Sequence, residues 1–433
     1  MRPAYSAIAL SLCLAAACGG GDAASVHPDG GSPQSDAQVQ APGAGGTRAS
    51  GAGGTRTAGS GGTAGRAGVE SGGSSNGSGG AGSGGTAGSS GSTGTSPTIA
   101  SCPILPSNHI FNTPIDKLPV HGQSAAFMTT IGSSKIHLDL GQSVNMAAGD
   151  YYGIPYNVVH GNGLAWASVK YTSMDTSDMT WDPKAESDCA SGSAHSVVSP
   201  CTTAAAPAPL LPIPSGVLVE GGVFPDVANQ GYGDHHILLL DADTCRLWEA
   251  YHAYTGTGGV WDIFGSATFD LHSNALRPAG WSSVDAAGFP VLPLLLRADE
   301  ASSGTIRHAL RFTIDSHAIR NEYVWPARHL TDNGTLDARL PPMGQLFRVK
   351  SSYVIPATFS VQSKAILKAL QTYGVYLADG GSNLYVQGEP SASWSDTIFD
   401  EVQTVTSADF EAVDLGPIQA RAGFDANSAA VPP

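Results

Sequence analysis

The sequence predicts an all-β or β-dominated domain, a β-sandwich or jelly-roll-like body with one main helix, behind a disordered N-terminal tether. Three observations predict it. About a dozen short runs rich in β-branched and aromatic residues, each bounded by Gly, Pro, Asn or Asp, recur along the second two thirds of the chain. Only the segment from Val361 to Tyr373 carries a clear helical stripe. The first hundred residues are dominated by Gly, Ser, Thr and Ala, a composition that cannot bury enough apolar area to offset the entropy of ordering.

At the amino end Arg2 precedes the apolar run from Ala7 to Leu14, and Leu14-Ala-Ala-Ala-Cys18-Gly19 follows. Small residues before a cysteine are the pattern of a bacterial lipoprotein signal, so residues 1–18 are expected to end at a lipidated Cys18. An ordinary secretory signal cleaved nearby is the alternative. Either exports the protein, and the lipid would hold it at the bacterial envelope, at the outer membrane or cell surface. No later run approaches the ~20 apolar residues that span a bilayer, so membrane contact is expected through the lipid alone. Residues 19–97 then act as a flexible linker with a mean reach of roughly 50 Å. Glycine does not recur at every third position there, which excludes a collagen-like rod.

Residues 98–433 are expected to form a single β-rich domain. The formal net charge of −15 belongs to it, because the first hundred residues carry as many basic as acidic groups. Such a surface opposes encounter with nucleic acid or an anionic polysaccharide and favours a neutral polysaccharide or oligosaccharide as partner. Once Cys13 is lost with the signal and Cys18 is lipidated, Cys102, Cys189, Cys201 and Cys245 remain, an even set that reads as two disulfides in an exported chain. Of three connectivities, local spacing favours Cys189 with Cys201, leaving Cys102 for Cys245.

The β-prone runs are 135–140, 151–159, 164–171, 216–219, 235–240, 245–252, 260–269, 305–314, 322–325, 345–353, 375–378 and 383–387. Ser360 is the expected N-cap of the main helix and Gly374 its stop; a weaker helix spans 397–403, and 281–288 reads as a single capped turn. Between 172 and 214 the periodicity disappears. That segment is expected to be an insertion stapled by Cys189 and Cys201, either a plain surface excursion or a lid.

Metal and nucleotide motifs are missing, so neither a metal nor a cofactor is expected. The densest chemistry lies in 234–252. With a two-residue turn at Ala242-Asp243, Asp234 would face Tyr251, His236 would face Glu249, Leu238 Leu247 and Leu240 Cys245, all on one side. An imidazole and a carboxylate paired across strands can hold a proton between them, with Tyr251 as donor. An ordinary ion pair on a solvated face fits the same spacing. Asp270 offers a second carboxylate, and glycoside hydrolysis needs two at about 5–10 Å. Asn274, Arg277 and Trp281 suit a sugar site, though Asp270 and Asn274 also read as turn caps and Arg277 as a partner of Asp270. His308 interrupts the otherwise apolar row Ile306, Leu310, Phe312, Ile314, so it reads as a core histidine or, with Arg311, as a binding group. Trp325 and His329 would wall a cleft.

The strings Phe269-Asp-Leu-His-Ser-Asn-Ala-Leu-Arg-Pro-Ala-Gly-Trp281, His308-Ala-Leu-Arg-Phe-Thr313 and Trp325-Pro-Ala-Arg-His329 resemble a family of secreted bacterial proteins without established activity. The resemblance covers most of 102–394 and supplies a grouping without a mechanism. It implies that the tether and the stapled segment are peripheral to the common domain.

Together these readings point to a surface-tethered glycoside hydrolase acting on a neutral glycan. His236, Glu249, Tyr251 and Asp270 form its catalytic set, and Asp234, Trp248, Asn274, Arg277, Trp281, His308, Arg311, Trp325 and His329 bind substrate. The alternatives are a non-catalytic lipoprotein that binds glycan or a partner, and a polysaccharide lyase using His236, Tyr251 and Arg277.

Overall fold

Among the described residues three sheets hold most of the strand residues, and the four-stranded one is the middle layer. The computed structural model describes residues 96–141, 152–171, 183–203, 208–229, 233–331 and 335–433; Cys18, the run before it and the linker up to residue 95 lie outside them. The middle sheet has the order Gly265–Asp270, Arg246–Tyr251, Ile237–Asp241, Tyr156–Val159, with only the last pairing parallel. Leu238, Leu240 and Leu247 enter the core shared with a six-stranded sheet. Ile237, Leu239, Trp248 and Ala250 enter a second core with Val169, Leu211 and Ile263 of a five-stranded sheet. Covered on both sides, Ile237–Asp241 is buried throughout, which is why it reads as an unbroken apolar run.

The turn between the two central strands has four residues, Ala242 to Cys245, in place of the two expected. Arg246 lies opposite Asp241 and Glu249 opposite Leu238. Asp241 forces this length: its Oδ1 accepts from the amides of Gly161 and Asp243 at 3.0 and 3.1 Å, and its Oδ2 accepts from the Thr244 hydroxyl at 2.6 Å. Cys245 closes the turn with φ 50°. The register therefore shifts by two, which keeps every side chain on its expected face but separates His236 from Glu249 along the strand.

The six-stranded sheet has the order Phe410–Ala412, Leu346–Val349, Val375–Gly380, Leu310–Ile314, Tyr385–Gln387, His137–Asp139. The main helix, Val361–Thr372, is capped as expected, the Ser360 side chain accepting from the Ser363 amide. Gly374 ends it at φ 79°, where a Cβ would sit 2.4 Å from the Phe347 carbonyl oxygen. Both disulfides are formed, Cys102 to Cys245 and Cys189 to Cys201.

Other expectations need correction. Residues 260–269 split into Trp261–Ile263 and Gly265–Asp270, which belong to different sheets. No strand forms at 216–219, where Gly216 takes φ 74°. The strand expected from 305 begins at Leu310, leaving His308 in the connection before it. Helices also form at Ser124–Ile131 and Ala298–Ser303, where the sequence pattern predicts none. The stapled segment is no loose excursion: Cys189–Ser191, Ser196–Val198 and Leu210–Leu211 are strands of the outer sheet, with Ala190 and Leu211 fully buried. Among the described residues no helix is long and apolar enough to cross a membrane.

Candidate functional site

At its open end the central hairpin is built unusually. His235 and His252 both adopt φ 55°, and they sit across from one another, joined by hydrogen bonds that the His252 amide donates to Asp234 O and the Ala253 amide to His235 O, each 3.1 Å. Two non-glycine residues in the left-handed region cost of order 1 kcal/mol or more each. Beside them is His236, which is 4% exposed. Its Nδ1 lies 2.6 Å from Glu220 Oε2, and its Nε2–H donates to the Val284 carbonyl at 2.9 Å. Burial disfavours charge on the ring, yet the Glu220 carboxylate outweighs burial and raises His236 to about 9. Burial likewise opposes charge on Glu220, and His236 outweighs it and holds Glu220 below its ordinary value. Gly233 is required here, since a Cβ would come within 2.9 Å of Glu220 Cγ. The Tyr251 ring lies 5.2 Å from that of His236.

A group of carboxylates gathers at this end. Asp234 is open to solvent, and Asp139, Tyr251 and Asp379 are half-buried. Asp234 interacts electrostatically with Glu220, His236, Asp379 and Arg311; the protein mass around it, then Glu220, raise it to about 6. Asp139 is raised to about 7, first by burial and then by Glu220 and Asp234. Burial also raises Asp379, whose oxygens accept from the Gly380 amide at 2.7 Å and the Ala286 amide at 3.3 Å. Burial raises the Tyr251 phenol, with Asp234 and Asp379 adding to it, so the ring stays a neutral donor. Beneath them Arg311 donates to Asp285 at 2.6 Å.

Three strands and two loops converge to make this arrangement. Asp139 ends His137–Asp139 and lies beside Gln387; Arg311 stands on the next strand over, and Asp379 lies beside Thr313 on the strand beyond. Facing them, the hairpin contributes Asp234, His236 and Tyr251. The loop from Ser282 to Leu292 is bolted between, by Val284 to His236, Asp285 to Arg311, and the amides of Val291 and Leu292 to Glu249. Carboxylates that keep protons near neutral pH can act as general acids, and oriented ones as bases.

Several sequence-predicted residues sit elsewhere. Glu249 is fully buried, accepting from Val291 N at 2.9 Å and Leu292 N at 3.0 Å; burial raises it to about 7. Asp270 pairs with Arg246, so it lies on the opposite face of the sheet from Glu249, which pairs with Ala267. The two cannot act on one bond, so the expected carboxylate pair does not form. His236 cannot serve as a free base because both ring nitrogens are engaged. Trp248 is a core residue packed on Trp166, and Trp325 is 9% exposed with its indole N–H on the Ser428 carbonyl, so neither is a sugar platform. Arg277 is buried and donates to Asp188, Glu186 O and Ser282 O, with Trp281 stacked 5.4 Å away; its expected partner Asp270 is not among them. Asn274 donates its side-chain amide to Asn108 Oδ1 at 3.0 Å, and its carbonyl pins the carboxyl-terminal segment by accepting from the Ala429 amide. His329 bonds the Ala286 carbonyl at 3.0 Å. His308 is fully buried, donating to Ala309 O with its other nitrogen 3.2 Å from Glu300; burial lowers it to about 3.

Thus Asp234, His236, Tyr251 and Arg311 come together, and Glu220, Asp139, Asp285 and Asp379 join them unannounced. A signal for these four existed. Each carboxylate interrupts or ends an apolar run, as in Leu138-Asp139-Leu140 and Leu377-Ala378-Asp379, where burial needs a compensating partner. Among the described residues no group of three or more His, Cys, Asp or Glu side chains is arranged to hold a metal ion. The chain matches no family model, and no curated protein or solved structure is similar to it.

Proposed function

We propose that this chain is an exported, lipid-tethered enzyme that hydrolyses a neutral glycan at the acidic end of the central hairpin. Asp234 is the proton donor, Asp379 the opposing carboxylate and Tyr251 a neutral donor to the sugar. Buried beneath, the His236–Glu220 pair and the Arg311–Asp285 pair are positioning groups that set the local charge. One observation carries the reading: Asp234 from a loop and Asp379 from a strand both act on the Tyr251 phenol and on each other, Asp139 from a further strand acts on Asp234, and solvent reaches each of them. A raised carboxyl group is what protonation of a glycosidic oxygen requires, and its opposite number works as a carboxylate, the form that Arg311 and the Gly380 and Ala286 amides favour at Asp379. The paired left-handed histidines add support, since strain of this kind collects at working sites. The acidic charge of −15 favours a neutral polymer over nucleic acid or an anionic one. Lipidation at Cys18 and the long tether would let the domain work away from the envelope.

The test is incubation of the full chain with neutral and anionic polysaccharides, followed by product sizing. Shortened neutral products are expected. Retained binding without products would move the protein to the glycan-binding class, and unsaturated products from an anionic polymer would make it a lyase.

A further inference from the structure

The hydrolytic site leaves unused a cavity of about 270 Å³ at the edge of the middle sheet, beside its outermost strand Gly265–Asp270. None of its lining residues belongs to the Asp234 group. We infer that this cavity is a second, non-catalytic binding site for a single uncharged sugar ring.

Size, charge and surface chemistry each support that ligand class. Drug-sized ligands occupy about 300–1,000 Å³, so this space suits one ring. Four charged side chains line it, and they cancel. Arg277 is paired with Asp188, both inside, while Arg246 lies 3.8 Å from Asp270 at the rim. His109, which also faces the space, is kept neutral by burial. A charged ligand would therefore upset a balanced set, whereas an uncharged one leaves both pairs intact. The floor is apolar, formed by Leu105, Phe111, Leu276 and Phe289. The rim pair remains accessible, with 29% of the Arg246 side chain and 46% of that of Asp270 exposed. It places a guanidinium donor beside a carboxylate acceptor, a match for adjacent hydroxyls that accept at one oxygen and donate from the next. A pyranose has that combination, one apolar face and a hydroxylated edge.

The wall opposite the rim is held by Glu249. Its carboxylate fixes the amides of Val291 and Leu292, which places Phe289 and Pro290 against the cavity. This gives the buried acid a role as a positioning residue, independent of turnover at Asp234. The inference shares only its ligand class with the proposed function, and a binding readout separates the two.

The experiment is saturation-transfer NMR on the full chain with glucose, galactose, mannose and N-acetylglucosamine at millimolar concentrations. At least one should bind saturably. Arg246→Ala, and Ala275→Trp at the cavity rim, should each weaken that binding at least tenfold, while Asp234→Asn leaves it within twofold. Thermal melts accompany each variant, and Arg246→Ala alone decides if Ala275→Trp does not fold. Absence of saturable binding, or binding lost with Asp234→Asn and kept with Arg246→Ala, overturns the inference.

Discussion

His236 Nδ1 lies 2.6 Å from Glu220 Oε2, and both side chains are more than nine-tenths buried. The pair joins the end of the central hairpin to the 216–222 loop, and through Val284 it also holds the loop that follows residue 281. Breaking one partner of a buried pair leaves an uncompensated charge and costs about 3–5 kcal/mol, whereas replacing both by apolar groups costs far less. His236→Ala is therefore expected to lose about 3–5 kcal/mol of stability in urea unfolding. The double variant His236→Leu with Glu220→Leu should lose less than the single. Equal losses would show that the charges are not coupled in folding.

Stability should depend on pH in a definite direction. Burial raises Asp139, Asp285 and Glu249 each to about 7, and the Glu220 carboxylate raises His236 to about 9 against burial. The folded chain thus holds these protons more tightly than the unfolded chain. Their contribution is complete below the unfolded values and is lost as pH rises through the folded ones, to about 7 for the carboxyls and about 9 for the imidazole. Glu220, held low, acts oppositely, stabilising above its unfolded value and losing that as pH falls. The melting temperature is expected to fall steadily from pH 5 to pH 9 in calorimetry. A rise over that range would contradict the assignment of these groups.

Glu249 separates stability from turnover. Glu249→Ala strands two buried amides and should cost about 2–4 kcal/mol in denaturant unfolding, whereas Glu249→Gln keeps an acceptor and costs less. Turnover by Glu249→Gln should stay within about threefold of the unaltered chain. A hundredfold loss of turnover with unchanged stability would return Glu249 to the chemistry.

This residue also shows what could be read in advance. The strand content, the main helix with its Ser360 cap and both disulfides follow from local pattern and spacing. The position of His236 relative to Glu249 does not, because it depends on whether Asp241 folds back on Gly161, eighty residues earlier in the chain. Alternation could not say that Asp270 faces away from Glu249, since that follows from the break at Phe264 and Gly265, where one run feeds two sheets. Asp139 is the last residue of a three-residue strand and Asp379 the next to last of Val375–Gly380, so local pattern marks neither as part of a site. Only tertiary pairing brings them beside Asp234.

The two disulfides should contribute unequally. Cys102 and Cys245 close 143 residues and Cys189 and Cys201 only 12. On loop-closure entropy, replacing the first pair with serine should cost about 4–5 kcal/mol and the second about 3 kcal/mol. Urea unfolding of the two double variants measures the difference. A larger loss from the short loop would place the stabilisation in packing of the outer sheet.

The most direct test is the rate of reducing-end release from a neutral glycan by Asp234→Asn, read beside its melting temperature. A general acid contributes about 10²–10⁴-fold. The expected result is a loss of at least a hundredfold with the melting temperature held within about 2 °C, and a comparable loss for Asp379→Asn. Release at the unaltered rate by both variants would contradict the placement of hydrolysis at the end of the central hairpin.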